Sequence, residues 1–359
     1  MAISILEFVL VLGLLILLHE LGHFILARIF NIPVEEFGLG LPPRIVRLFT
    51  WGGTEFTLNW IPFGGFVRPR GENDPDVPGG LAAANPWKRF AVLMGGSTVN
   101  ILTGIVLFTW LFTMVGAPDT SKIQIVGVSP ASPAEQVGLQ EGDVILKVNG
   151  QAITTTGDLS NLIQSNLGKP VTIQVSRGGQ IVEFEAVPRV DPPPDQGALG
   201  IMMGNPVRQL SWVESVPIAF QVTYEQFYQL VTLPGRLAQG TISPEEGRVV
   251  GPIGMFSIYD QMRERDIEGT TQAPGNVNVL ILNRLFLVAT ISVALGLTNL
   301  LPIPALDGGR ILFLLPEILF RRRIPPKYES LVHAIGFMLL IGLMIFIARR
   351  DIIQPIQVP

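Results

Sequence analysis

The densest chemical signal in the chain is His19-Glu20-Leu21-Gly22-His23. On a helix, residues four apart project from one face, so both imidazoles can offer nitrogen to a single metal ion while Glu20 lies beside the remaining coordination position. Zinc held this way acidifies its bound water and polarises a carbonyl. The neighbouring carboxylate can take the proton from that water and pass it to the leaving amine. The pattern points to peptide-bond hydrolysis, with Glu20 as general base and zinc-bound water as nucleophile.

The motif lies inside an apolar run, residues 3–30, that is long enough to span a bilayer. Ionisable groups at membrane depth carry an insertion penalty of several kcal/mol, and they are found where they face a protein interior or a wet cavity and serve a function. A catalytic zinc takes three protein ligands. With no cysteine and only three histidines in the chain, the third ligand is His333 or a carboxylate. Asp307 is the best-placed carboxylate. It closes the segment Asn299-Leu300-Leu301-Pro302-Ile303-Pro304-Ala305-Leu306-Asp307-Gly308-Gly309, where prolines and glycines break a helix at membrane depth, as happens where backbone lines a cavity. The competing role for Asp307 is the N-cap of a helix over 310–320. His333 stands near the start of the last apolar run, where an interfacial histidine needs no special role.

The elements that must position these groups follow from composition. The chain has 359 residues, 48% of them hydrophobic and 15% charged, which describes a polytopic α-helical membrane protein carrying some soluble mass. Besides residues 3–30, apolar runs at 90–115, 285–301 and 331–348 each approach the ~20 residues needed to cross the hydrocarbon core, giving about four transmembrane helices. The first run lacks a basic leader and a small-residue cleavage pattern and is expected to be retained. Arg44, Arg47, Arg68, Arg70 and Lys88 lie between spans one and two, and Arg321, Arg322, Arg323 and Lys327 between spans three and four. These place both loops in the cytoplasm and the termini outside, with Arg349 and Arg350 mildly opposed. Arg284, at the edge of span three, is expected at the interface. A net charge of −4 without a basic tract gives no reason to expect nucleic-acid binding.

The pairing of His19–His23 in the first span with the Asn299–Gly309 segment after a later one resembles the site-2 protease family (M50) of intramembrane zinc metalloproteases, over nearly the whole chain. That resemblance implies zinc on His19, His23 and Asp307, Glu20 as general base, and Asn299 with the Pro302 region holding the substrate backbone extended. Asn299 suits that role on chemical grounds too, because a carboxamide both donates and accepts, which an unwound peptide needs in a low-dielectric site. The resemblance further implies a membrane-embedded protein substrate, pre-trimmed by another protease. Membrane-bound anti-sigma factors and signal-peptide remnants are the kinds it suggests. A bacterial inner membrane is the simplest location.

Residues 31–88 are read as a cytoplasmic loop. Its glycine-punctuated strands resemble the family's membrane-associated β-loop, whose edge could take an unwinding substrate as an added strand. Between spans two and three, within residues 116–195, the stretch 123–189 changes to strand-like alternation with Gly/Pro/Asp turns, and the segment Ala134-Glu135-Gln136-Val137-Gly138-Leu139-Gln140-Glu141-Gly142-Asp143-Val144-Ile145 resembles part of a PDZ domain. An inserted α+β PDZ domain, extracytoplasmic, is expected to filter substrates. Asp191-Pro192-Pro193-Pro194 reads as a stiff linker after it. Residues 196–278 are expected to hold an amphipathic interfacial stretch over 212–237 and exposed connections at 239–251 and 270–275. Residues 279–320 hold span three and the broken segment, and residues 321–359 span four and a tail. The competing class is a non-enzymatic membrane scaffold, against which the intact His19, His23, Asp307 and Glu20 set argues.

Overall fold

A computed structural model describes residues 2–193, 196–243, 247–272 and 281–356. The chain divides into two compact units: residues 1–112 with 212–359, and residues 113–211.

The first unit begins with α1 (Ala2–Ile29). Its apolar residues are sorted by face. Ile3, Leu6, Leu10 and Leu14 are exposed at spacings of three and four, while Phe8, Leu15 and His19 are buried along the other side. A ribbon follows, β1 (Val34–Trp51) and β2 (Thr54–Pro69). It folds back on itself, so that Phe37, Gly38 and Leu39 have partners in both halves of β2: Val67, Phe66 and Gly65 on one side, Phe56, Thr57 and Leu58 on the other. Phe24 and Ala27 of α1 pack with Phe37 and Val34 of the ribbon, which anchors the ribbon beside the lower half of the first helix. Then comes α2 (Pro86–Val115), whose buried stripe Val92, Gly95, Gly96, Ser97, Asn100 and Gly104 is small and polar enough for other helices to approach closely.

After the second unit the chain returns as α5 (Trp212–Ala238), α6 (Pro252–Gln272), α7 (Leu282–Asn299), α8 (Asp307–Phe320) and α9 (Pro326–Ile353). Among the described residues, four helices, over Ile3–Ile29, Pro86–Val115, Leu282–Asn299 and Pro326–Ile353, are long and apolar enough to cross a membrane. The protein is an integral membrane protein. Large apolar side chains exposed along α9, among them Leu331, Ile335, Met338, Leu339 and Phe346, have hydrocarbon as their solvent.

The second unit is a sheet of order β8-β7-β5-β4-β9 with β6 on β5. Its strands are β4 (Ile123–Val128), β5 (Val144–Val148), β6 (Gln151–Ala152), β7 (Val171–Arg177), β8 (Gln180–Ala186) and β9 (Ile201–Gly204). A two-residue pair, β3 (Ala117–Pro118) with β10 (Val207–Arg208), stands apart from it. The core alternates as a half-buried sheet should: Val171, Ile173 and Val175 point in, against Leu159 and Ile163 of α4 (Thr156–Gln164). Thr155 starts α4 with a reciprocal cap, its hydroxyl accepting from Asp158 N–H at 3.1 Å while the Asp158 carboxylate accepts from Thr155 N–H at 2.9 Å. The other helix, α3 (Pro133–Gln136), is capped by Ser132.

Two sequence expectations need correction. The sheet does not end at residue 195. Beyond the proline run, β9 pairs with β4 through Ile125↔Met203 and Val128↔Ile201, and Leu199 is buried in the core, so the edge of β4 is covered by chain that reads as linker. Pro194 itself lies outside the described residues. Residues 252–269, given no element of their own within 196–278, form with residues 270–272 the 21-residue helix α6; of the expected 270–275 loop, residues 270–272 are thus helical and the rest lie outside the described residues. α6 is too polar to read as a span because its partners are charged. Asp266 is fully buried and accepts from Asn283 N–H at 3.0 Å and from Arg284 Nε at 2.9 Å. Arg284 also reaches Glu7, so this cation is held inside the helix cluster rather than at an open interface.

Candidate metal centre

α1 places His19 and His23 on one face, one turn apart, as their spacing requires. The third group comes from α8. Asp307 opens that helix, yet it does not cap it: the N-cap is Leu306, with no side-chain cap bond. The Asp307 carboxylate is turned instead to the histidines, with Oδ2 3.1 Å from His19 Nε2 and 3.3 Å from His23 Nε2, and the two Nε2 atoms are 3.2 Å apart.

These three atoms fit zinc. Bonds of about 2.0–2.1 Å in a tetrahedral site put ligand atoms about 3.3 Å from one another, and the observed edges of the triangle are 3.1, 3.2 and 3.3 Å. The space beside them is kept open by the facing helix. A Cβ at Gly96 of α2 would lie 2.5 Å from His23 Nε2 and 2.6 Å from His19 Nε2, which only glycine avoids. His23 Nδ1 lies 2.8 Å from the Val92 carbonyl oxygen, leaving Nε2 as the nitrogen with a free lone pair.

The broken segment is shaped by close backbone approach and by α9. Gly308 packs where a Cβ would be 2.2 Å from the Leu301 carbonyl oxygen, so the chain folds over the end of α7 only with glycine there. His333 is not at the triangle. Its Nδ1 accepts from Ala305 N–H at 2.8 Å, bracing a residue held at a φ of 79° two positions before Asp307. That role explains a histidine in the last span without a metal.

Glu20 and the triangle line one cavity of about 760 Å³, whose other walls include Asn299, Asn59, Phe66 and Arg310. Val67 N–H of the ribbon faces the Glu20 carboxylate. Asn299 is thus in the same cavity as the histidines, with Nδ2 donating to Leu295 O of its own helix at 3.0 Å. Pro302 is exposed and is not part of the cavity wall. The ribbon side is charged but internally matched. Glu36 is buried between Arg44, at 2.9 Å, and Arg68, and accepts from Thr57 at 2.8 Å. Arg310, one turn beyond Asp307, is paired with Glu72. The Arg47 and Arg44 guanidiniums hold the half-buried Glu55 carboxyl below the ordinary carboxylate range.

Sequence reasoning read α2 as a span but passed over its part in the site. The signal was present: Gly95-Gly96-Ser97 and Asn100 interrupt an otherwise apolar span, and small or polar residues there mark a helix contact or a site.

The chain is similar to known proteins over most of its length. A profile described as Peptidase family M50 matches residues 7–343. A protein of Clostridium perfringens named as a candidate zinc metalloprotease is 33% identical over 344 residues, covering 95% of this chain and 96% of that protein. One of Campylobacter jejuni, named likewise, is 31% identical and covers 98% and 94% respectively. Among solved structures, the PDZ domain of an SdrC-like protein from Listeria monocytogenes matches 23% of this chain and 87% of its own, at 21% identity and a TM-score of 0.21.

Proposed function

The chain belongs to peptidase family M50 and is a zinc metalloprotease, and from that premise we propose that it cuts a peptide bond in or next to the transmembrane segment of single-pass membrane proteins, with His19, His23 and Asp307 holding zinc and Glu20 as general base. The observation that carries this is the triangle of 3.1–3.3 Å formed by one carboxylate and two imidazole atoms, with Glu20 opening on the same cavity.

Bound zinc supplies an electrophile for the scissile carbonyl and a water acidified towards neutrality. The chain's own groups do the rest. Glu20 accepts the proton of the attacking water and returns it to the departing amine. Asn299 lines the cavity and is suited to hold the extended backbone through its carboxamide, together with the Pro302 region after it. The 65–69 stretch of β2 runs beside Glu20 and pairs with β1 on one side, so a substrate strand has an edge to join. An edge serves a helix-breaking substrate well, because a peptide cut within a membrane has lost its internal hydrogen bonds and must find others.

The second unit is read as a PDZ domain that admits substrates already shortened by another protease, such as anti-sigma factors or signal-peptide remnants. Its sheet of short strands with two flanking helices and the Ala134–Ile145 sequence pattern support that reading. The family suggests a bacterial inner membrane, and the loop charges favour an orientation with the termini and this unit outside. The test is cleavage of a truncated single-pass reporter by the purified chain in bilayers. Wild type should cut it, and Glu20→Gln should retain zinc while losing about 10²–10⁴-fold in rate; equal rates for the two would remove Glu20 from the mechanism.

A further inference from the structure

The two imidazoles that face Asp307 differ in what holds them from behind. His23 has a backbone acceptor for its far nitrogen, the Val92 carbonyl at 2.8 Å. His19 has no such carbonyl. Its Nδ1 meets the carboxamide of Asn100, also on α2, at 3.5 Å. Asn100 is fully buried, its nitrogen is turned to the ring, and its Oδ1 has no hydrogen-bond partner among the described residues.

A half-turn of a carboxamide exchanges its oxygen and nitrogen, and the partners decide which way it stands. Here the partner decides clearly. His19 Nε2 faces His23 and Asp307, so for that atom to offer a lone pair the ring proton must sit on Nδ1, which then needs an acceptor. With Oδ1 towards the ring, Nδ1–H is satisfied. The carboxamide nitrogen then turns to the other side of the helix face, where Ser97, one turn earlier, has a buried Oγ that likewise lacks a partner.

The spacing on α2 supports this. Val92 and Asn100 are eight residues apart, about 12 Å along the axis, whereas His19 and His23 are separated by about 6 Å. A helical carbonyl points towards the C-terminus and a side chain leans towards the N-terminus, so the Val92 oxygen and the Asn100 carboxamide converge on the two rings. Ser292 Oγ of α7 donates to the Asn100 carbonyl oxygen at 2.8 Å and fixes that turn of α2 against a second helix.

We propose that Asn100 is a positioning residue of the metal centre: its carboxamide oxygen accepts from His19 Nδ1–H, selecting the tautomer and ring plane that aim Nε2 at the metal, as Val92 O does for His23. This rests on the reading of His19, His23 and Asp307 as zinc ligands. Losing such an outer partner costs about 10–100-fold in metal affinity.

The experiment measures zinc affinity of the full chain in detergent by competition with a chromophoric chelator, for wild type, Asn100→Asp, Asn100→Leu and Asn100→Ala. Aspartate keeps an acceptor at the same place and should bind zinc at least as tightly as wild type. Leucine and alanine, without an acceptor, should bind about 10–100-fold more weakly, while thermal unfolding of the metal-stripped proteins identifies any variant that has merely lost its fold; alanine cannot overpack and serves where leucine does. Wild-type affinity in a folded Asn100→Ala or Asn100→Leu, or an equal loss in Asn100→Asp, overturns the proposal. A wild type that binds no zinc overturns the ligand reading beneath it instead.

Discussion

Of the clusters of ionisable side chains among the helices of the first unit, two are built on opposite principles. In one, cations meet anions: Arg284 reaches Asp266 at 2.9 Å and Glu7 at 3.4 Å, and Arg263 reaches Glu7 at 3.1 Å. In the other, His19, His23 and Asp307 bring one candidate ligand atom each within 3.3 Å of one another, and the nearby guanidinium of Arg310 is paired with Glu72. The first cluster is electrically complete within the chain and ties α1, α6 and α7 together. On the proposed reading the second is completed by a cation, and α2 meets it with a glycine, a backbone carbonyl and a carboxamide rather than with a counter-charge. Buried charge by itself says little about function; which charges are left for something else to satisfy says a great deal.

Swapping the losses between clusters tests this contrast most strongly. Asp307→Ala should fall from about one zinc per chain to none and lose all cleavage, whereas Glu7→Gln should keep its zinc; metal analysis of the two purified proteins decides the point. Next in size, Asp266→Ala strips the buried partner from Arg284 and should cost about 3–5 kcal/mol of stability, seen as a lower unfolding temperature with zinc stoichiometry unchanged. Loss of zinc there would mean the clusters are not separate. A smaller effect is expected from Gly96→Ala, whose new methyl crowds both Nε2 atoms: an overpacking cost of about 1–3 kcal/mol, read as weaker zinc binding in a chelator competition.

The smallest effect should come from a pair outside both clusters. In the second unit Asp143 is bound by Arg177 through two contacts of 2.7 Å. Burial pushes the Asp143 carboxyl up, but the guanidinium and Gln140 N–H outweigh it and hold the group below the ordinary range. Its contribution to stability is therefore present above the ordinary carboxylate range, and it fades as pH falls through the depressed value. Thermal unfolding from about pH 6 down to about pH 3 should show a steeper acid loss in wild type than in Asp143→Asn.

Much of the site was legible because its signals are local. The four-residue spacing of His19 and His23, the depth of the apolar run around them and the proline-glycine break before Asp307 all speak through short stretches of chain. What escaped was encoded at a distance. α6 went unread as a helix because its buried face carries Tyr259 and Asp266, whose partners lie on other helices. Its N-terminus is likewise closed from afar, by Asp351 of α9, whose Oδ2 accepts from Gly251 and Gly254 N–H at 3.0 Å each. β9 escaped because a proline run separates it from the sheet it completes.

The sequence alone determined that two imidazoles share a helical face within an apolar segment, since a turn of helix is a local object and apolar length selects the bilayer. Only the tertiary structure decided that a carboxylate 288 residues away would meet them at 3.1 Å, that α2 would present Gly96, Val92 and Asn100 behind and beside the rings, and that His333 would brace the loop instead of binding metal. Those outcomes depend on which helix faces pack together, and packing is settled by the fit of whole surfaces, which no short stretch of sequence contains.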